Sequence, residues 1–164
     1  MESFIAACAQ FEILPMKVEE NLQNAWNTLK ACKDATKAHL IVLPESFTTG
    51  FTPIGGLHAL WEVAEPIPGR WSDIGERWAK ELDTTLCFPV YERGERKGIV
   101  YNSALLIGPN GILGHYRKTH PFPTERLAAD GWTTRGETPF CVQTPLGNIG
   151  IVICYDGDFP ELAR

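Results

Sequence analysis

Fifteen Lys and Arg stand against twenty Asp and Glu in these 164 residues, giving a formal net charge of −5 with no basic run anywhere. A chain without a positive field has nothing to hold nucleic acid or an anionic membrane surface. Long apolar stretches are also missing. The longest are strand-sized, far short of the ~18 residues that a membrane span needs. The opening Met1-Glu2-Ser3-Phe4 lacks a positive region ahead of an apolar run, so secretion is not signalled. Cysteine is scarce and odd in number, at positions 8, 32, 87, 141 and 154, with no CxxC pair. That pattern argues against zinc and against a complete disulfide framework, and makes the cytoplasm the expected compartment. Calcium-loop, HExxH, GxGxxG and GxxxxGK[ST] patterns do not occur, so metal, dinucleotide and P-loop phosphate sites lack support. Repeats, low-complexity tracts and domain linkers are absent.

What remains is ordinary globular material, 44% apolar and 21% charged, at the usual length of one domain. Residues 4–11 (FIAACAQF) read as a buried strand. Residues 21–37 carry Leu22, Ala25, Trp26 and Leu29 at helical spacing. Residues 40–43 (LIVL), closed by Pro44, read as a second buried strand, and 45–60 as a loop. Ile74, Trp78 and Leu82 predict a helix over 71–82, followed by a strand at 85–90 and a polar turn at 91–98. Strands are expected at 99–107 and 112–116, joined at Pro109-Asn110-Gly111, because Asn-Gly tolerates the positive φ of a tight turn. Residues 117–138 are too long for a passive connection. A last hairpin is expected from 140–144 and 149–153. Helices early and hairpins late suit a mixed-sheet α/β layer fold. Asp158-Phe159-Pro160-Glu161 resembles a helix start with three residues after it, as if the chain stopped where the native protein continues.

Four residues stand where chemistry is plausible. Cys154 ends the apolar run 149–153 and precedes a turn into a helix start. Such a junction lifts one side chain from the sheet edge and aims backbone N–H groups at it, favouring a thiolate. The bland alternative is a small buried hydrophobe. Glu45 ends the run 40–44, where burial raises a carboxylate's pKa and suits it to act as a base; alternatively it is a solvated loop acid. Lys118 follows 112–116, where a fixed ammonium can stabilise an oxyanion; otherwise it is a surface lysine. Glu125, seven residues on, can hold that lysine or is a loop acid. His120 keeps a Cys–His pairing open, although no protease motif surrounds Cys154.

Leu43-Pro44-Glu45, Tyr116-Arg117-Lys118 and the stretch from Ile153-Cys154-Tyr155-Asp156 to Phe159-Pro160-Glu161, in that order at strand ends, together resemble the nitrilase or carbon–nitrogen hydrolase superfamily. Ala9-Gln10, Asn102-Ser103-Ala104 and Gly108-Pro109-Asn110-Gly111 add to the likeness, which runs from about Phe4 to Arg164. The resemblance implies a four-layer α-β-β-α sandwich, with 1–164 a single domain lacking its C-terminal part. It puts Glu45, Lys118 and Cys154 on the family's Glu-Lys-Cys triad and Glu125 on its auxiliary glutamate. The backbone N–H of Tyr155 would join Lys118 at the oxyanion. It further implies homo-oligomers, no cofactor or metal, and a small amide, carbamoyl or nitrile substrate. Cys154-Tyr155-Asp156 and Phe159-Pro160-Glu161 are similar to amidases and carbamoylases. Pro123-Thr124-Glu125-Arg126, Trp132 and Gly136-Glu137 are similar to nitrilases. The expected activity is amide hydrolysis through a Cys thioester, with a nitrilase or N-carbamoyl amidase as the alternative. A non-catalytic assembly or partner-binding module is the alternative of another class. Phe47, Phe51, Trp61 and Trp132 are candidate pocket aromatics.

Overall fold

A computed structural model describes residues 3–164. Its centre is a five-stranded sheet ordered β1-β2-β3-β4-β5: β1 (Ala6–Cys8), β2 (Leu40–Val42), β3 (Thr85–Arg93), β4 (Val100–Gly108) and β5 (Gly111–Arg117). The first two pairings are parallel, the last two antiparallel. Three helices accompany it, α1 (Val18–Thr36), α2 (Gly56–Val63) and α3 (Arg70–Leu82), and a separate hairpin pairs β6 (Cys141–Thr144) with β7 (Gly147–Gly150). A short α4 (Pro160–Ala163) follows. Among the described residues, no helix is long and apolar enough to cross a membrane.

Side chains alternate between the two faces of a strand, and the sheet uses both. Ile41, Leu86, Phe88, Val90, Leu105 and Ile107 face one way and pack with Leu22, Ala25 and Leu29 of α1 and Trp71, Trp78 and Ala79 of α3. Gly75 lets α3 come close, because a Cβ there would overlap Ile107. Val42, Cys87, Ala104 and Tyr116 face the other way, against Phe140, Ile151 and Ile153. The architecture is therefore α/β, with a helix layer on one face and the segments flanking the hairpin on the other.

Several expectations need correction. The first strand is a three-residue edge with Ala6 and Cys8 exposed, because it pairs on one side only. The loop expected over 45–60 ends at Gly55, where α2 begins. Leu57, Leu60, Trp61 and Ala64 have helical spacing, which the Gly55-Gly56 pair disguised. The polar turn expected from Tyr91 is strand through Arg93, since buried partners satisfy Glu92. Pairing in the last hairpin stops at Gly150, leaving 151–153 extended but unladdered.

Candidate active site

Two strand ends of the sheet and the turn that follows residues 151–153 come to one place. Glu45 lies just beyond β2, in a corner where Ser46 has a left-handed φ of 51°. Lys118 immediately follows β5, and its N–H donates to the Asn102 carbonyl at 2.8 Å, extending the ladder by one residue. Cys154 begins a 3-10 turn (Cys154–Asp158) and is itself left-handed, with a φ of 47°. Non-glycine residues in that region carry backbone strain, which persists only where surroundings hold it.

Asp156 is what holds it. This fully buried carboxylate accepts from Ile153 N–H (3.0 Å) and the Tyr116 hydroxyl (2.7 Å) on Oδ2. On Oδ1 it accepts from His120 N–H (2.9 Å) and the Thr119 hydroxyl (3.2 Å). The corner bearing Cys154 is thereby tied to the chain on both sides of Lys118.

Lys118 is no surface lysine. Its side chain is 1% exposed, with Nζ 2.9 Å from Glu45 Oε1 and 2.6 Å from Glu125 Oε1. Glu125 is completely buried in the 3-10 turn Pro123–Glu125, and its Oε1 also accepts from Phe122 N–H at 2.7 Å. Its carbonyl receives Trp132 N–H, Thr133 N–H and the Thr133 hydroxyl at 2.9, 2.7 and 3.0 Å. Gly131 permits that approach, since a Cβ would overlap the Glu125 backbone. Glu45 is only partly buried, with 23% of its side chain exposed. Asn102 Nδ2 donates to Glu45 Oε1 at 2.7 Å and lies 3.4 Å from Glu125 Oε2.

Burial alone would lower the Lys118 pKa. The hydrogen bond that Lys118 donates to Glu125 and the two carboxylate charges outweigh it and raise it, so the ammonium form is secure. For Cys154, burial and then the adjacent Glu45 charge raise the thiol, against Lys118 and the Tyr155 N–H, which pull it down. That direction runs against the expected preference for a thiolate, and burial is its first cause.

His120 does not pair with the sulfur. Its Nδ1 lies 3.0 Å from the Thr119 hydroxyl and 3.1 Å from Asp156, and its ring stacks on Phe159 at 3.9 Å. Of the pocket aromatics, Phe51 lies 5.5 Å from Lys118 Nζ and meets Trp132 edge-on. Phe47 is instead core, packed between Phe11 and Phe88, and Trp61 packs beside Leu60 and Ala64 under Arg93. A separate groove lies between α1 and α3, lined by Trp26, Arg70 and Trp78. Among the described residues, no cluster of His, Cys, Asp and Glu could hold a metal.

Asn102 and Asp156 stand within the family-like segments, and neither has a role visible from the sequence. The available signals were a polar amide inside the apolar run 99–107 and an acid two residues past the candidate nucleophile.

The sequence matches the carbon–nitrogen hydrolase family over residues 5–164. The chain belongs to the carbon–nitrogen hydrolase family. It is 36% identical over 143 residues to a nitrilase of Pyrococcus abyssi, covering 82% of this chain and 50% of that one. It is 33% identical over 150 residues to an (R)-stereoselective amidase of a Pseudomonas species, covering 88% and 48%. An omega-amidase NIT2 of Xenopus tropicalis is 31% identical over 170 residues, covering 100% and 59%. In structure, this chain resembles a CN-hydrolase superfamily protein of Xanthomonas campestris solved with an arsenic adduct in its active site. The TM-score is 0.82 at 25% identity, covering 100% of this chain and 58% of the other. Its α/β architecture is that of the carbon–nitrogen hydrolases. The chain spans about half the length of the curated relatives it matches.

Proposed function

We propose that this hydrolase cleaves small amides to a carboxylic acid and ammonia, with Cys154 as nucleophile, Glu45 as general base and acid, and Lys118 as oxyanion donor. One observation carries the reading: a buried lysine fixed between two carboxylates, beside a cysteine at a left-handed corner whose thiol is acted on by both Glu45 and Lys118.

Glu45 takes the thiol proton as the sulfur attacks the amide carbon, which suits a thiol that rests protonated. The negative charge moves to the carbonyl oxygen, where Lys118 Nζ and the Tyr155 N–H stabilise it; one such donor is worth about 10²–10³ in rate. Collapse breaks the C–N bond, and the proton on Glu45 leaves with ammonia. The thioester on Cys154 is then attacked by water, with Glu45 as base, releasing the acid and restoring the thiol. Glu125 holds Lys118 in place, and no step requires a cofactor.

The relatives' names cover amidases and a nitrilase, so the test is ammonia release from a panel of primary amides, N-carbamoyl compounds and nitriles. The longest natural form of the chain is the protein to assay. Amides are expected to lead, with an acyl mass on Cys154 trapped in a slow variant. Undiminished ammonia release by Cys154→Ala removes the thiol mechanism. Silence across the whole panel returns the chain to a partner-binding role.

A further inference from the structure

Lys118 supplies one positive charge to two carboxylates, so the cluster of Glu45, Glu125 and Lys118 carries a surplus negative charge in a largely dry place. The remaining side-chain donor that reaches both acids is the Asn102 amide. Asn102 is 1% exposed and sits mid-strand in β4, tied through its carbonyl to Lys118 N–H. Its orientation is forced, because turning the amide over would set Oδ1 against two carboxylates. The outcome is a buried Oδ1 with no hydrogen-bond partner among the described residues. An amide held so that one end goes unsatisfied is held for what its other end does.

We infer that Asn102 is a positioning residue that keeps Glu45 ionised beside Glu125 and leaves Glu45 Oε2 as the oxygen that exchanges protons with Cys154. Glu45 Oε1 already receives Lys118 Nζ at 2.9 Å and Asn102 Nδ2 at 2.7 Å, so proton transfer falls to the other oxygen. The inference rests on the proposed role of Glu45 as base. The ionisable groups facing Glu45 are Lys118, Glu125, the Cys154 thiol and the Tyr91 hydroxyl. Of these only Lys118 favours its charged form, and Asn102 is the neutral donor that adds to it.

The experiment compares the full natural chain with Asn102→Leu and Asn102→Asp. Removing a donor from a carboxylate raises its pKa by about one unit, and adding a third acid raises it further. The acidic limb of the kcat/KM profile is therefore expected to move up by about one pH unit in Asn102→Leu and more in Asn102→Asp. Much of the rate returns above the new limb. A ¹³C-carboxyl titration of Glu45, assigned by its loss in Glu45→Gln, reads the same shift without turnover. Should Asn102→Leu fail to fold, Asn102→Ser serves with the same two readouts. A folded variant that loses rate at every pH, with the limb and the carboxyl titration unmoved, overturns the inference. A shifted carboxyl titration in a chain that hydrolyses no amide upholds Asn102 and removes the proposed function instead.

Discussion

Adjacent residues on β3, β4 and β5 build two carboxylate clusters on opposite faces of the sheet. Glu92, Ser103, His115 and Arg117 belong to the helix side, where Ser103 pairs with Val90 and His115 with Leu105. Tyr91, Asn102 and Lys118 belong to the other. On the helix side one acid has more donors than it needs: Ser103 Oγ at 2.7 Å, His115 Nε2 at 2.9 Å and two guanidinium nitrogens of Arg117. Burial would raise the Glu92 pKa, but those hydrogen bonds win and hold it down at about 2. On the site side two acids share one lysine, and burial first and the Glu45 charge second push the neighbouring thiol up. One acid with four donors marks the scaffold, and two acids sharing one lysine mark the candidate site.

The comparison breaks most sharply at the sulfur. Cys154→Ala is expected to cut ammonia release by about four orders of magnitude or more while the melting temperature stays put, because Ala keeps the same backbone demand. Residual release near the parental rate would sink the nucleophile assignment.

Next come the cations. Lys118→Met strands the buried Glu125 and the half-buried Glu45, and is expected to cost about 3–5 kcal/mol in urea unfolding, along with turnover. Arg117→Met leaves Glu92 with His115 and Ser103, and the Arg117 side chain is 42% exposed, so the cost is expected to be about 1 kcal/mol with turnover kept. Equal losses of stability would erase the distinction between the two clusters.

Acid titration sharpens it further. Glu92 has a folded pKa near 2 against 4.5 unperturbed, so its contribution is present above pH 4.5 and is lost as pH falls toward 2. Glu92→Gln is expected to lower stability at neutral pH on the order of 2 kcal/mol, with the gap closing across that window. Parallel stability curves from pH 2 to 7 would contradict it.

The smallest effect is on alkylation. Glu45→Gln removes a negative charge beside the thiol, so the pH midpoint for iodoacetamide labelling of Cys154 is expected to fall by about one unit. Cys87, buried with its thiol pushed up to about 12, stays unlabelled until the protein unfolds. A midpoint unchanged in Glu45→Gln would place the carboxylate out of contact with the sulfur.

Apolar patterning marked α1, α3 and the buried strand at 40–43, because burying one face of a helix or strand imposes that pattern locally, and Asn-Gly marked the turn between β4 and β5. Family motifs marked Glu45, Lys118, Glu125 and Cys154 for the same reason: each lies where a strand or turn ends. Only the tertiary structure decided how charge is shared among them. The raised thiol, the bridging amide of Asn102, the knot of donors on Asp156 and the core placement of Phe47 all arise from groups distant in sequence. Electrostatic balance depends on distances and burial in space, and a linear chain carries neither.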